Sequence, residues 1–354
     1  MPMVMVTTVP GLEDIVAEEV HDMVNVSKVE VRPHGLRGKV IVHLISMGDV
    51  EILLEKARSI ERVILLLGRE RVRKSRSGLK DLYNMAYNIE LEEYLSPFTR
   101  FAVRAQREGV HEYTSPEMAK IVGEAVINRV RRVYRIRPPV NLDSPVVTVH
   151  VEVMDDEAFI GIDITGHRAL HIRGYRVYSH PAALNPVIAY AMLKISGVKS
   201  GHRVLDPMCG GGTILIECAL SIGGVELYGL DINPFHIAGA IKNAKAAGVR
   251  EKIEFLVGDA RLIDRIFKDH TFDRIVCNPP YGVRMSDIED IKGLYEEFLS
   301  GARRVLNSEG ILCTITLRHH LLRRISKALG YDIIHERTIY QGGLSPHILV
   351  LRPV

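Results

Sequence analysis

Four stretches in the second half of the chain carry residues able to hold a polar ligand. Val204-Leu205-Asp206-Pro207-Met208-Cys209-Gly210-Gly211-Gly212-Thr213 sets an acid at the end of an apolar run, with three glycines and a helix-forming segment after it. Pro207 keeps Asp206 extended. The glycines permit a tight turn and a close approach of ligand to backbone, and the first N–H groups of a helix from Thr213 to Ala219 point back into that turn. The spacing is neither the G-x-G-x-x-G of a dinucleotide site nor the G-x-x-x-x-G-K-[ST] of a P-loop. Gly229-Leu230-Asp231-Ile232-Asn233 places a second acid at a strand tip, where one carboxylate can accept from both hydroxyls of a ribose; an adenosine-type cofactor is expected. Gly258-Asp259-Ala260 offers an acid and backbone amides for an adenine ring, or equally a cap for the next helix. The fourth stretch is Cys277-Asn278-Pro279-Pro280-Tyr281-Gly282. Its prolines fix the chain direction and remove donors, leaving the carbonyls of Asn278 and Pro279 as acceptors. Such acceptors suit the two protons of an exocyclic amine on an aromatic ring, and Tyr281 offers a stacking face worth roughly 1–3 kcal/mol.

An α/β pattern from Asn185 onward must position these stretches. A helix through Val187, Ile188, Ala191, Met192 and Ile195 precedes strands at Arg203 to Leu205, Leu227 to Leu230, Ile253 to Val257, Arg274 to Cys277 and Ile311 to Thr316. Two closing strands, Ile333 to Tyr340 and Ile348 to Leu351, have no helix between them, so one must run antiparallel. That is a doubly wound sheet, which binds ligands at the carboxyl ends of its strands. Upstream, residues 1–74 read β-α-β-β-α-β, the order of a ferredoxin-like split unit. Residues 75–165 read as a second α+β module, with a helix over Leu79 to Leu95, a strand over Phe101 to Gln106, a long helix capped by Ser115 before Pro116, and strands over Val146 to Val153 and Ala158 to Ile164. Residues 166–184 form a connector rich in Gly, His, Arg and Tyr, expected to provide phosphate contacts and packing.

The 354 residues predict two or three domains. The N-terminus has no basic-then-apolar leader and no charge-free apolar run spans a bilayer, so a cytoplasmic location without membrane contact is expected. Cys209, Cys218, Cys277 and Cys313 lack C-x-x-C spacing, which argues for buried reduced thiols rather than zinc or disulfides, and no metal is expected. A net charge of +3 does not announce a nucleic-acid binder. Arg100, Arg104, Arg107, Arg129, Arg131, Arg132, Arg135 and Arg137 nevertheless gather near one helix end, where either phosphate contacts or a solvated helix face accounts for them.

The D-x-x-x-G-x-G spacing resembles the first motif of class I S-adenosyl-L-methionine-dependent methyltransferases, and with Asn278-Pro279-Pro280-Tyr281 it resembles their amino-methyltransferase branch. Phe101-Ala-Val-Arg-Ala-Gln-Arg, Tyr113-Thr-Ser-Pro-Glu, Gly161-Ile-Asp-Ile-Thr-Gly, His171-Ile-Arg-Gly-Tyr-Arg and His180-Pro-Ala-Ala-Leu-Asn-Pro are similar to the THUMP-containing RNA guanine-N2 methyltransferases, most of all the archaeal and thermophilic guanosine-6 tRNA enzymes. The resemblance implies a seven-stranded, Rossmann-like class I methyltransferase domain (185–354) preceded by a ferredoxin-like domain (1–74), an RNA-binding THUMP domain (75–165) and the connector (166–184). It implies that Asp206, Met208, Cys209, Gly210, Gly212 and Thr213 face the methionine portion of the cofactor. By the same likeness Asp231 and Ile232 hold the ribose, Gly258, Asp259 and Ala260 hold the adenine, and His180, Ala182, Ala183 and Leu184 close over it. Asn278 is shared by cofactor and base and, with Pro279 and Tyr281, carries the chemistry. The expected partner is tRNA, met by a monomer that methylates a guanosine N2 amine, at position 6 of the acceptor stem. Guanosine-10 tRNA, rRNA guanine-N2 and DNA adenine-N6 methylation share the motifs, as does the protein glutamine branch, which gives no reason for the Arg-rich module. A non-catalytic RNA-binding protein is the alternative from another class.

Overall fold

The computed structural model describes residues 1–281 and 288–354, so Gly282 of the fourth stretch lies outside the described residues. The chain forms two compact units, one of Met1–Thr8 with Val16–Leu170, the other of Val9–Ile15 with His171–Val354.

The first unit contains β1 (Met3–Thr7), α1 (Glu13–Met23, shared between the units along the chain), β2 (Val26–Val31), β3 (Lys39–Leu44), α2 (Met47–Lys56), β4 (Arg62–Arg71), α3 (Gly78–Asn88), β5 (Phe101–Glu108), α4 (Ser115–Tyr134), β6 (Val147–Met154) and β7 (Glu157–Asp163). Its strands make one seven-stranded sheet ordered β2-β3-β1-β4-β7-β6-β5. The β-α-β-β-α-β segment and the module after it therefore share a continuous sheet, joined where β4 pairs antiparallel with β7. Helix α3 ends at Asn88 rather than running to Leu95, because Ile89 turns extended and a short 3-10 turn, Leu91–Glu93, follows. Helix α4 buries Met118, Val122, Ala125, Val126 and Val130, the spacing of one helical face. Its cap is Thr114, not Ser115: the Thr114 hydroxyl accepts from Glu117 N while the Glu117 carboxylate takes Thr114 N at 2.8 Å, a reciprocal box that satisfies two end donors.

The arginines divide. Helix α4 connects parallel strands β5 and β6, so its C-terminal end lies where those strands begin. Arg100 precedes β5, and Arg104 donates to Leu142 O at 2.6 Å, so both stand near that end with Arg131, Arg135 and Arg137. Arg107 stands near the other end of β5, donating to Gly109 O at 3.2 Å, and leaves the expected cluster. Arg129 pairs with Glu92, and Arg132 lies over the Tyr87 ring at 5.9 Å. The helix-face reading thus accounts for these two, while Arg100, Arg131, Arg135 and Arg137 stay exposed.

The second unit adds α5 (Pro186–Ile195), β8 (Arg203–Asp206), α6 (Thr213–Ser221), β9 (Glu226–Asp231), α7 (Pro234–Ala246), β10 (Ile253–Val257), α8 (Ile263–Ile266), β11 (Phe272–Cys277), α9 (Ile288–Val305), β12 (Leu306–Thr316), α10 (His319–Ala328), β13 (Tyr331–Thr338) and β14 (His347–Pro353). Its sheet runs β10-β9-β8-β11-β12-β14-β13, and β14 alone runs opposite to the other six strands. The chain reverses direction across this sheet between β8 and β11, the switch point at which an open α/β sheet receives a ligand. Helix α6 is buried from Thr213 to Ala219, so it is enclosed on every face rather than striped. All four cysteines are free and buried.

Two of the connector's arginines, Arg173 and Arg176, serve packing. Glu217, fully buried on α6, accepts from Arg173 Nε at 3.1 Å and from the Tyr175 hydroxyl at 2.7 Å. Arg176 reaches the carbonyl of Leu184 and, at 3.1 Å, the Thr213 hydroxyl. Tyr178 is clamped as well: its N–H donates to Asn243 Oδ1 at 2.7 Å, while Asn243 Nδ2 donates to Tyr178 O at 3.0 Å and Gly211 O at 2.9 Å. These bonds lay the connector along the glycine turn.

Candidate active site

The carboxyl ends of β8, β9, β10, β11 and β12 surround a cavity of about 720 Å³. Sixteen of the residues expected at the site line it: His180, Ala182, Ala183, Leu184, Asp206, Met208, Cys209, Gly210, Thr213, Asp231, Ile232, Asp259, Ala260, Asn278, Pro279 and Tyr281. Gly212 and Gly258 do not. Gly212 adopts φ +79° as the cap of α6, and a Cβ there would meet Ala240 at 3.2 Å, so its task is to turn the chain into the helix. A Cβ on Gly258 would meet Leu230 and Ile266 at 2.8 and 2.9 Å; that glycine allows close packing behind the cavity wall.

Asp206 is 1% exposed, and its carboxylate accepts from Met208 N at 3.2 Å. No basic side chain among the described residues pairs with it. Burial holds its carboxyl well above the usual range, against the pull of the Met208 N–H and with some push from the charge of Asp231. A buried carboxylate at a cavity wall without a countercharge fits a ligand ammonium. Asp231 is better supplied, accepting from Gly210 N at 2.9 Å and Asn233 N at 2.9 Å. Its Oδ1 also meets His236 Nδ1 at 3.1 Å. Those contacts pin the carboxylate at the strand tip, beside the glycine turn, as a ribose ligand requires.

Asp259 lines the cavity but its oxygens are engaged. Arg261 N reaches Oδ1 at 2.9 Å and the Arg261 guanidinium reaches Oδ2 at 2.5 Å, which depresses the carboxyl pKa. The capping role foreseen as the alternative is therefore realised, and Asp259 faces the cavity as a neutralised pair. Asn278 Oδ1 accepts from the Tyr281 hydroxyl, and Asn278 Nδ2 lies 3.5 Å from Ala182 O, so the fourth stretch and the connector meet at the cavity edge. Tyr295, behind them, holds Pro280 O at 3.2 Å and the Thr316 hydroxyl at 3.0 Å.

Sequence reasoning missed His236 and Gln341, both in the lining. His236 had a local signal: Asn233 caps α7 and Pro234 opens it, which puts His236 in the first turn over the tip of β9. Its ring also meets His180 edge-on at 4.3 Å between centroids. Burial and His236 lower the pKa of His180, which favours the neutral ring at the cavity wall.

Strand order, switch point, buried acid and pinned strand-tip acid define a class I methyltransferase, with S-adenosyl-L-methionine as its cofactor. Residues 173–346 match the RMKL-like methyltransferase domain family and residues 76–163 the THUMP domain family. The chain is 36% identical to the tRNA (guanine(6)-N2)-methyltransferase of Methanocaldococcus jannaschii over 98% of both chains. It is likewise 36% identical to the Thermus thermophilus enzyme of that name, again over 98% of both. The crystal structure of TrmN from Thermus thermophilus superposes with a TM-score of 0.87 at 34% identity, covering all of each chain. This chain belongs to the family of THUMP-containing tRNA guanine-N2 methyltransferases. Among the described residues no helix is long and apolar enough to cross a membrane, and no group of three or more His, Cys, Asp or Glu is placed to hold a metal ion.

Proposed function

We propose that this protein methylates the exocyclic N2 amine of a guanosine in tRNA, at position 6 of the acceptor stem. The observation that carries the reading is the acceptor pair of Asn278 and Pro279 on the wall of the cavity that Asp206 and Asp231 also line, in a chain akin to enzymes named for that reaction. In this division of labour residues 1–74 and 75–165 grip the RNA by shape and phosphate, with Arg100, Arg131, Arg135 and Arg137 among the exposed cations in them. Residues 166–184 link them to the catalytic domain at 185–354, and the protein works as a cytoplasmic monomer.

The target base leaves its helix at a cost of a few kcal/mol. Asp206 receives the cofactor's ammonium and Asp231 its ribose hydroxyls, while Met208, Cys209, Gly210 and Thr213 line the methionine portion and Ile232 and Ala260 flank the adenosine. When bound, the cofactor supplies an electrophilic methyl group. Asn278 Oδ1 has a second lone pair beyond the one given to Tyr281, so with Pro279 O it can hold both amine protons and aim the nitrogen lone pair at that methyl. Orientation supplies much of the rate, and the displaced proton leaves to water. Nucleoside mass spectrometry of tRNA incubated with protein and labelled cofactor, followed by fragment mapping, tests the proposal. Expected is N2-methylguanosine at position 6; label at guanosine 10, in rRNA or in duplex DNA rejects it.

A further inference from the structure

The cavity extends beyond the part that the cofactor needs. Following the sheet from the glycine turn, β8 neighbours β11, β11 neighbours β12, and β12 neighbours β14. Asn278 follows β11; across from it lie Leu317, just beyond β12, and the hairpin between β13 and β14. Gln341, Leu344 and Pro346 of that hairpin line the cavity. The hairpin thus stands on the opposite side of Asn278 from the methyl donor, where the ring bearing the reacting amine must extend.

The hairpin is built to hold its tip still. Gln341 and Leu344 exchange both backbone hydrogen bonds at 3.0 Å around Gly342 and Gly343, whose φ values of +58° and +77° are those of a tight two-residue turn. Ile339 N takes Pro346 O at 3.0 Å and Tyr340 N takes Pro10 O at 3.0 Å. Below them Arg337 grips Asp14 through two bonds of 2.6 and 2.7 Å. On this fixed base the Gln341 amide has no hydrogen-bond partner among the described residues, while its neighbours in the lining, Leu317, Leu344 and Pro346, are apolar.

We infer that Gln341 reads the far edge of the target base, its amide donating to the guanine O6 and accepting from N1–H. This rests on the guanine-N2 reading above. A primary amide presents a donor and an acceptor side by side, the complement of that edge of guanine. Asn278 and Pro279 see only the amine, which 2-aminopurine also carries; they cannot distinguish the two bases. Gln341 can, because 2-aminopurine has a C–H in place of O6 and an unprotonated N1, so however the amide turns it makes at most one of the two hydrogen bonds that guanine offers.

The test uses the full-length protein and tRNA assembled with guanosine or 2-aminopurine at the position that mapping shows to be methylated. Wild type should prefer guanosine by roughly tenfold or more in kcat/KM, one neutral hydrogen bond's worth or better. Gln341→Ala should lose that preference and about tenfold in kcat/KM on guanosine, with cofactor affinity unchanged by calorimetry. Gln341→Glu, which cannot donate to O6, should fall below the alanine variant. Retention of the guanosine preference in Gln341→Ala overturns the role of Gln341 while leaving guanine methylation standing. Failure of wild type to methylate either tRNA overturns the substrate reading, and this inference with it.

Discussion

Replacing Asp231 tests how the strand tip serves both fold and cofactor. Its Oδ2 satisfies the buried N–H of Gly210 at 2.9 Å and its Oδ1 that of Asn233 at 2.9 Å. Asp231→Ala leaves the first donor orphaned, a cost of roughly 1–3 kcal/mol; Asn233 is only half-buried and can turn to water, so the ligand-free protein should lose about 2 kcal/mol. Cofactor binding loses separately the charge-assisted bonds to the ribose, about 1.5–3 kcal/mol, or a Kd weaker by roughly 10- to 150-fold. Asp231→Asn separates the two effects. It keeps one acceptor and so most of the turn, yet removes the charge; its stability should stay closer to wild type while its Kd moves at least tenfold. Urea titration reads the first quantity and calorimetry with S-adenosylhomocysteine the second. A wild-type Kd in both variants refutes the ribose assignment, and an affinity lost only in the alanine variant shows that the turn, not the carboxylate charge, governs binding.

Three further outcomes follow from the same geometry. The raised carboxyl pKa of Asp206 means that the native protein binds this proton more tightly than the unfolded chain, so the ligand-free protein should lose stability as pH climbs from the ordinary carboxylate value through the raised one. A cofactor ammonium favours the ionised form; binding below the raised value should release a proton and strengthen with pH, and calorimetry there that gives the same heat in buffers of different ionisation enthalpy contradicts this. Asn278→Ala should abolish methyl transfer while cofactor still binds, and Tyr281→Phe, which unties Asn278 Oδ1, should slow transfer about tenfold in single-turnover assays; an unchanged rate means the hydroxyl does not position Asn278. Arg173→Met strands the buried Glu217 carboxylate and should cost roughly 3–5 kcal/mol by urea titration, with Arg173→Met/Glu217→Gln recovering more than half; a double variant no better than the single one would place the loss in packing rather than charge.

What the sequence discloses here follows how local each determinant is. The acid, glycine turn and helix of β8 and α6 lie within a dozen residues and obey turn and capping chemistry, so they could be read along the chain, as could the alternation of strands and helices after Asn185. Local rules also misled. Ser115 before Pro116 looks like a cap, but Thr114 holds the box because Glu117 stands at its third helical position. Gly212 belongs to the recognisable glycine run and yet turns away from the cavity, since a positive-φ residue was needed at the helix entrance itself. Gln341 shows the opposite limit. The Gly342-Gly343 pair between two strands announces a hairpin, but nothing near it in sequence says that this hairpin stands across from Asn278. That neighbourhood arises because β14 inserts antiparallel between β12 and β13, bringing a loop near residue 341 beside a motif at 278. The motif that identifies the chemistry is continuous in the chain; the surface that can select the base is assembled only by the sheet.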